Sequence, residues 1–329
     1  MSTTAKFVLM APPGAPAVPS VDVLEGWAAA LRSEHTDLDV VIAVTDKDVL
    51  DQLGDADAAY GVLPPGWHAP RLRWLQASMA NPPLGYFTPE LAAHPVVVTN
   101  MRGVYNDHIA THVMAFLLAF ARGLPHYAHA QRDRQYRGGV APVLHLADST
   151  VLFIGAGGVA HQAARYLQPW GPRVVAVDAR PETTSGGAID AVFRAEELEA
   201  QLPLADAVVM TVPHTPESER MLGRRHFELM KPTAVFINIG RGQTVVLDDL
   251  VGALEAGELA GAGLDVFDRE PLPPDHRVWT LPNVLITPHV AMVGPDIGQR
   301  RFELIAENCR RLLAGEPLRY VVADKVLGF

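Results

Sequence analysis

Cysteine is almost absent from this sequence, since Cys309 is the single one among 329 residues. One cysteine excludes an intramolecular disulfide and any metal site built from several thiolates. It lies in an apolar helical pattern, which favours a buried structural thiol. The sequence therefore predicts neither a disulfide framework nor a metal site.

Long apolar runs and basic runs are missing as well. The densest apolar run, VMAFLLAFA, has nine residues and is too short to span a bilayer. The apolar run near the N terminus is too short for a signal peptide. The net charge is −10 and no run of basic residues stands out, which argues against a nucleic-acid partner. We expect a cytoplasmic protein that binds neither membranes nor nucleic acids.

Short apolar runs alternate with helical patterns along almost the whole chain, which is typical of parallel α/β architecture. The first hundred residues contain the strand candidates KFVLM, LDVVIAV, DAAYGVL, RWLQAS and PVVVTN. A second series of strands and helices runs from STVLFIG to NVLITPH. With 49% apolar residues, 329 residues suffice for two domains with their own cores. We predict an α/β protein with two doubly wound parallel sheets.

One long helix is predicted between these two series, in YNDHIATHVMAFLLAFARG. Asn106 or Asp107 is expected to cap its start, and Gly123 to end it. Its apolar face is wider than an ordinary amphipathic stripe and contains Ile109, Val113, Met114, Phe116, Leu117, Leu118 and Phe120. Such a face is buried within the fold or in a subunit interface, and we favour the interface. The final helix, after residue 295, is expected to return to the first domain.

The stretch STVLFIGAGGVAHQAARYL predicts a strand, a glycine turn and a helix. Gly155, Gly157 and Ala160 occupy the three positions of the G-x-G-x-x-G/A dinucleotide pattern. The next strand ends in Asp178, where an acid binds the adenosine ribose hydroxyls. A glycine pattern alone also fits an ordinary turn, but here strand, helix and acid all follow in order. Asp178 favours NAD, because its charge opposes a 2′-phosphate, while Arg180 nearby weakens that preference.

Three further strands end in chemically active side chains. FINIGRG offers Arg241, NVLITPH offers His289, and GAGLDVFDREPLP offers the acids Asp265, Asp268 and Glu270. In an open α/β sheet, ligands bind beyond the carboxyl ends of the strands. A 2-oxo acid needs its carboxylate held, its carbonyl polarised and a proton delivered. Arginine can hold, histidine can protonate, and a carboxylate beside the histidine favours its charged form.

These motifs, in this order, resemble the NAD-dependent D-2-hydroxyacid dehydrogenases. The resemblance rests on GAGGVA with Asp178, VPHTPES, FINIGRG, GLDVFDREPLP and NVLITPH, and it is strong from about residue 95 to 292. It implies that Arg241, Glu270 and His289 form the catalytic triad. The first ninety residues match mainly by their architecture.

The resemblance also implies the fold and the cofactor site. It predicts a flavodoxin-like substrate domain, residues 1–99 with 292–329, and a Rossmann NAD domain, residues 100–291, with a cleft between them. The long helix is then the element that forms a homodimer. The implied cofactor-binding residues are Gly155, Gly157, Gly158, Val159, Asp178, Val212, Pro213, Ile239, Gly240 and Asp265, with NADP less suitable than NAD.

This sequence departs from the family pattern at several places. The first-domain loop that holds the substrate carboxylate reads LQASMANPPLGYF, which lacks the usual glycine and places Met79 and Ala80 at the substrate-binding positions. Gly158 stands where a longer side chain is common near the pyrophosphate. Glu270 argues against formate dehydrogenase activity, and no regulatory extension is expected after the final helix.

We therefore expect an NAD-dependent reductase of small 2-oxo acids, with glyoxylate or hydroxypyruvate as the first candidates. One alternative is a non-catalytic NAD sensor resembling the C-terminal-binding corepressors, which share similar triads but add peptide-docking surfaces and long tails. Another alternative is an oxidoreductase that acts on an inorganic anion with the same triad. Turnover of 2-oxo acids with NADH discriminates the reductase from the sensor.

Overall fold

The computed structural model describes residues 4–15, 17–83, 85–139 and 142–325. The chain divides into two compact units, Met1–Val104 with Gly294–Phe329 and Tyr105–Val293. The boundaries predicted from the sequence, after residue 99 and after residue 291, fall slightly earlier. The substrate and cofactor roles of the two units stay predictions, as does the cleft between them.

Helices connect most successive strands in both units, although β4 follows β3 without one. The first unit contains β1 (Ala5–Met10), β2 (Leu38–Ala43), β3 (Ala58–Tyr60), β4 (Trp74–Gln76) and β5 (Val97–Thr99). The second unit contains β6 (Thr150–Ile154), β7 (Arg173–Asp178), β8 (Ala191–Arg194), β9 (Ala207–Met210), β10 (Val235–Asn238), β11 (Gly261–Leu264) and β12 (Val284–Ile286).

The helices are, in chain order, α1 (Val21–Glu34), α2 (Asp46–Leu53), α3 (Pro89–Ala93), α4 (Asn106–Ala121), α5 (Leu124–Arg132), α6 (Gly158–Leu167), α7 (Pro181–Thr184), α8 (Leu198–Gln201), α9 (Arg224–Leu229), α10 (Leu247–Glu255) and α11 (Ile297–Ala314). The long helix α11 belongs to the first unit although it follows the second in sequence. Its Cys309 is fully buried, and burial raises the pKa of the thiol.

The first unit is built on a parallel sheet with the strand order β2-β1-β3-β4-β5. Each of its strands falls on one of the apolar runs singled out in the sequence. Phe7, Tyr60 and Trp74 are fully buried, and the rings of Phe7 and Trp74 stack with their centroids 5.2 Å apart. This sheet confirms the predicted parallel α/β architecture of the first unit.

The second unit is built on a parallel sheet with the order β12-β11-β10-β9-β6-β7-β8. The chain proceeds outward from β6 in one direction through β7 and β8, then returns and proceeds outward in the other direction from β9. The connections therefore reverse between β6 and β9, and the carboxyl ends of these two strands form a crevice that suits a ligand. Apolar clusters cover both faces of the sheet. The predicted doubly wound architecture is confirmed.

Helix α4 starts differently from the prediction. Asn106 is its first helical residue, Tyr105 is the N-cap, and no side chain caps the helix by a hydrogen bond. The prediction that Asn106 or Asp107 caps the helix is therefore wrong. The helix ends at Ala121, two residues before Gly123, which has a φ of 65° and leads into α5.

The apolar face of α4 packs on the sheet of its own unit. Val113, Phe116 and Phe120 are buried within the single chain. A side chain at Gly261 or Gly263 of β11 would meet the rings of Phe120 and Phe116 at 2.6 and 2.7 Å, so these glycines make room for the helix. The buried members of this face therefore take the alternative of burial within the fold, while Ile109 and Leu118 are half-buried. A subunit interface and the homodimer stay predictions.

Neither a membrane-spanning helix nor a metal-binding cluster occurs among the described residues. No helix among them is both long enough and apolar enough to cross a membrane. No group of three or more histidine, cysteine or acidic side chains in the same part of the chain is placed to hold a metal ion.

Candidate active site

The glycine turn between β6 and α6 has one crowded glycine and one open glycine. Gly155 has a φ of 95°, and a Cβ there would lie 2.8 Å from the Thr211 Oγ1 and 2.9 Å from the Val212 Cγ1. Gly157 has an ordinary φ of −77°, and no atom lies within 4 Å of the Cβ position there. Gly155 therefore serves the turn, whereas Gly157 leaves open space in front of the helix.

The open space faces the backbone donors at the start of α6. His161 makes the first hydrogen bond within the helix, to the Gly157 carbonyl. The N–H groups of Gly158, Val159 and Ala160 precede it and have no acceptor in the helix. The Val159 side chain packs against the core, so its contribution to an anion is its N–H. Free N–H groups and the positive helix end suit a pyrophosphate.

Gly158 lies against a side chain that the sequence reasoning did not find. A Cβ at Gly158 would lie 2.3 Å from the Asn106 Nδ2. The amide of Asn106 thus fills the space beside residue 158, where a longer side chain was expected from the family pattern. No signal in the sequence joins these two residues, because they are 52 positions apart and meet only through the packing of α4 against α6.

An added methyl group is expected to act differently at the two glycines, on cofactor binding at Gly157 and on stability at Gly155. We expect Gly157→Ala to raise the Michaelis constant for the reduced cofactor about 10-fold, because the methyl group occupies space needed by the pyrophosphate. Its melting temperature should equal the parent's. Gly155→Ala should instead destabilise the fold by about 1–3 kcal/mol through crowding. Cofactor titration and thermal melting check both, and parent-like cofactor affinity in Gly157→Ala would contradict the assignment.

Asp178 at the end of β7 also holds the glycine turn. Its Oδ2 accepts a hydrogen bond of 2.8 Å from the Ala156 N–H, and its Oδ1 accepts one of 2.8 Å from the Arg180 N–H. The carboxylate therefore has a fixed position next to the phosphate loop. A carboxylate has further lone pairs for ribose hydroxyls, and that contact stays a prediction.

The Gly-Arg-Gly sequence after β10 is explained by close backbone contacts. A Cβ at Gly240 would lie 2.7 Å from the Val212 carbonyl oxygen, and one at Gly242 would lie 1.8 Å from the Phe267 carbonyl carbon. Both glycines therefore admit neighbouring chain segments of the same protein. The protein's own backbone therefore occupies the space beside these two glycines.

Arg241 lies between these two close contacts in a fixed turn. Its carbonyl accepts hydrogen bonds from the Asn238 Nδ2 at 3.2 Å and the Thr244 Oγ1 at 2.7 Å. Its Nη1 donates to the Gly240 carbonyl at 2.7 Å. Burial lowers the pKa of Arg241, and the charge of Glu270 opposes that shift. The guanidinium stays charged, because an arginine pKa is far above neutral pH.

Glu270 and His289 form a hydrogen-bonded pair. The His289 Nδ1 lies 2.7 Å from the Glu270 Oε2, and the Glu270 Oε1 accepts a bond of 2.9 Å from the Phe267 N–H. The glutamate is thus fixed on one side and holds the imidazole on the other. The His289 side chain is 40% exposed, and Nε2 is the ring nitrogen that Glu270 does not contact. Of the three acids in the preceding loop, Glu270 makes this contact.

Asp265 has a different environment from the other candidate residues, since it is only 1% exposed. Its Oδ1 accepts hydrogen bonds from the Thr287 Oγ1 at 2.6 Å and the Val290 N–H at 2.9 Å. Its Oδ2 accepts one from the Ala291 N–H at 3.0 Å. Asp265 therefore anchors the loop that carries His289, while its contact with the nicotinamide stays a prediction.

The remaining cofactor positions predicted from the sequence lie at neighbouring strand ends of the second unit. Val212 and Pro213 follow β9, and Ile239 follows β10 and is buried. Strands β9 and β10 are neighbours in the sheet, and β9 lies next to β6, where the order of the strands changes direction. The structure thus places the phosphate loop, these residues and Arg241 at one edge of one sheet.

The predicted substrate loop lies in the first unit, directly after β4. The Met79 carbonyl accepts a hydrogen bond of 3.0 Å from the Met101 N–H. The Ser78 carbonyl accepts one of 3.2 Å from the Arg301 Nη2. Met79 and Ala80 are half-buried, and their contact with a substrate stays a prediction.

Comparison with known proteins identifies relatives over nearly the full chain. Residues 114–291 match the family model described as D-isomer specific 2-hydroxyacid dehydrogenase, NAD binding domain. A glyoxylate/hydroxypyruvate reductase B of Pectobacterium carotovorum is 31% identical over 94% of this chain and 99% of its own.

Solved structures give the same result for the fold. A D-isomer specific 2-hydroxyacid dehydrogenase from Xanthobacter autotrophicus, in complex with NADPH and MES, is 28% identical with a TM-score of 0.82, covering 99% of this chain and 100% of its own. An NADPH-dependent glyoxylate/hydroxypyruvate reductase from Sinorhizobium meliloti, in complex with NADP and sulfate, is 26% identical with a TM-score of 0.78, covering 98% and 100%.

These complexes bear on the expected cofactor. Both neighbours hold NADP or NADPH, whereas the family model is named for NAD binding. The expectation that NADP is less suitable than NAD is therefore not supported by the relatives. The resemblance inferred from the motifs around Asp178, Arg241 and His289 is confirmed over more than half of the chain. This protein belongs to the D-isomer specific 2-hydroxyacid dehydrogenase family.

Proposed function

We propose that this protein reduces small 2-oxo acids such as glyoxylate or hydroxypyruvate to the (R)-2-hydroxy acids with a nicotinamide cofactor. The observation that carries the proposal is the 2.7 Å hydrogen bond between the His289 Nδ1 and the Glu270 Oε2. Arg241 lies close enough to Glu270 for their charges to interact. Relatives named as glyoxylate or glyoxylate/hydroxypyruvate reductases support the same substrate class.

Each member of the triad has a separate task in this reaction. Arg241 binds the substrate carboxylate through a forked contact and polarises the 2-oxo group. His289 donates a proton from its Nε2 to the carbonyl oxygen, and Glu270 favours the protonated imidazole through the Nδ1 contact. The reduced nicotinamide supplies the hydride when it is bound. Glycine-turn N–H groups position the cofactor phosphates, and Met79 and Ala80 contribute to binding the substrate carboxylate.

A panel of 2-oxo acids with NADH and with NADPH tests this function. We expect oxidation of the cofactor with at least one short 2-oxo acid, and glyoxylate and hydroxypyruvate are the first candidates. The alternative function is a non-catalytic nucleotide sensor of the corepressor type, and no relative named above favours it. Tight cofactor binding without turnover across the panel would support the sensor and contradict the reductase.

For the nucleotide, we propose that NADH is preferred over NADPH. Asp178 presents its negative charge at the end of β7, where its two oxygens are held by the N–H groups of Ala156 and Arg180. A 2′-phosphate in contact with this carboxylate meets a like charge, whereas ribose hydroxyls can donate hydrogen bonds to it.

This preference predicts the effect of Asp178→Asn. The substitution keeps the size of the side chain and one acceptor oxygen but removes the charge. We expect the ratio of kcat/KM for NADH over NADPH to exceed one in the parent and to fall about 10-fold in the variant. Steady-state kinetics with both nucleotides at a saturating 2-oxo acid measure the ratio. Equal or better use of NADPH by the parent would remove the proposed preference.

The pairing of Glu270 with His289 predicts a shift in pH dependence. Glu270→Gln keeps the shape but removes the negative charge that favours a protonated imidazole. Reduction needs that proton, so the fall of kcat/KM at high pH should move to lower pH. The pH profile of kcat/KM for 2-oxo acid reduction, measured in parent and variant, gives the position of this fall, the high-pH limb.

Asp268→Asn is the matched control for this profile. Asp268 lies two residues before Glu270, and its Oδ1 accepts a hydrogen bond from the Arg269 N–H rather than from His289. We expect its high-pH limb to coincide with that of the parent. An unmoved limb in Glu270→Gln would show that Glu270 does not control the proton on His289.

A further inference from the structure

His112 of α4 is linked to the loop of His289 by hydrogen bonds through Thr287. The His112 Nε2 lies 2.9 Å from the Thr287 Oγ1, which lies 2.6 Å from the Asp265 Oδ1. An ionised carboxylate can only accept, so the single hydroxyl proton of Thr287 goes to Asp265. The hydroxyl oxygen then accepts from His112, whose proton is therefore on Nε2.

The imidazole of His112 is held in place by its surroundings. Its side chain is 20% exposed, and its ring meets that of Phe116 edge-on with centroids 4.7 Å apart. Burial lowers the pKa of His112, although the charge of Asp265 opposes the shift. A neutral imidazole with its proton on Nε2 fits the single acceptor that Thr287 offers.

Asp265, the last member of this hydrogen-bond series, fixes the backbone around His289. The His289 N–H donates to the Asp265 carbonyl at 2.8 Å, and the N–H groups of Val290 and Ala291 donate to the Asp265 carboxylate at 2.9 and 3.0 Å. His289 has a φ of 54°, a left-handed conformation that is unfavourable for a non-glycine residue. The loop therefore depends on Asp265 for its shape.

We infer that His112 is a positioning residue for the reduction, acting through Thr287 and Asp265 to orient the loop that presents His289. The inference rests on the proposed function, since it assigns His112 to the same reaction. The hydrogen bonds of His112 reach the loop of His289 through Thr287 and Asp265. His112 therefore influences how often the His289 Nε2 points at the carbonyl oxygen of the 2-oxo acid.

Two substitutions at one position separate hydrogen bonding from packing. His112→Phe keeps a ring beside Phe116 but removes the donor, whereas His112→Gln places an amide nitrogen near the former Nε2. We expect kcat to fall about 10-fold in His112→Phe, because displacement of a catalytic group by a fraction of an ångström is costly. The Michaelis constants for 2-oxo acid and cofactor should change less than twofold, and His112→Gln should recover most of kcat.

Thr287→Val tests the middle of the chain of bonds and replaces His112→Phe if that variant does not fold. We expect a similar loss of kcat, and the double variant should be no slower than the slower single variant. If the two residues acted independently, the fold losses of kcat in the two single variants would multiply in the double variant. A double variant slowed by the product of the two single losses would overturn the proposed link through Thr287.

Amide hydrogen exchange of residues 287–292, followed by mass spectrometry, needs no turnover. We expect faster exchange at Val290 and Ala291 in His112→Phe than in the parent or in His112→Gln. Parent-like exchange in His112→Phe would overturn the inference, as would His112→Gln exchanging as fast as His112→Phe. If the parent reduces no 2-oxo acid, the proposed function fails, and this exchange comparison still decides whether His112 orders the loop.

Discussion

Replacing His289 with glutamine is expected to lower kcat for 2-oxo acid reduction by about 10²- to 10⁴-fold. Glutamine keeps a polar side chain of similar reach but cannot deliver a proton to the carbonyl oxygen. The Michaelis constant for the 2-oxo acid should change far less, because the proton is transferred only as the transition state forms. Initial rates at saturating cofactor, over a range of 2-oxo acid concentrations, give both constants.

His145→Gln is a matched control, because His145 has a similar hydrogen bond without a place in the site. Its Nδ1 lies 2.8 Å from the Asp148 Oδ2, and its side chain is 76% exposed. We expect parent-like kinetics from this variant. If His289→Gln retains more than a tenth of the parent's kcat, His289 is not the proton donor and the triad assignment is wrong.

Replacing Arg241 with alanine is expected to damage binding and turnover together. Two charge-assisted hydrogen bonds to a substrate carboxylate contribute about 1.5–3 kcal/mol each, so kcat/KM should fall by about 10²- to 10⁴-fold. The Michaelis constant should rise, because the carboxylate is bound before as well as during the reaction. Arg241→Lys should recover only part, since an ammonium cannot reproduce the planar fork.

Arg225→Ala provides the control for removing an arginine. Arg225 lies on α9 with its side chain 74% exposed and forms an ion pair of 2.6 Å with Glu199. Exposed ion pairs contribute little to stability. We therefore expect Arg225→Ala to have the kcat and Michaelis constants of the parent. An unchanged Michaelis constant for the 2-oxo acid in Arg241→Ala would show that Arg241 does not hold the substrate carboxylate.

Much of the fold could be predicted from the sequence because parallel strands are short apolar runs with clear ends. The run KFVLM corresponds to β1, and STVLFIG corresponds to β6 with Gly155 at its end. Residues that follow such strands meet at one edge of the sheet, which grouped Arg241 and His289 with three candidate acids. The glycine pattern indicated the phosphate loop for the same reason. The choice of Glu270 among the three acids came from the family resemblance.

Other features depend on contacts between segments distant in sequence and could not be predicted. His112 meets Thr287 across 175 positions, and no local pattern marks either residue as part of the site. The apolar face of α4 fitted a partner chain or the sheet, and the sequence favoured the partner chain. Gly261 and Gly263 make room for Phe120 and Phe116 on the sheet only once β11 is adjacent. The backbone contacts at Gly240 and Gly242 likewise emerge only from tertiary packing.

Transfer of a labelled hydride tests the central claim most directly. The protein is incubated with hydroxypyruvate and NADH carrying deuterium at both C4 positions of the nicotinamide ring, and with the equivalent NADPH in parallel. The account predicts a 2-hydroxy acid with one deuterium at C2 and the R configuration, detected by mass spectrometry and chiral chromatography, and loss of that product in His289→Gln. An S-configured product, or no deuterated product from any short 2-oxo acid although the cofactor binds, would contradict the account.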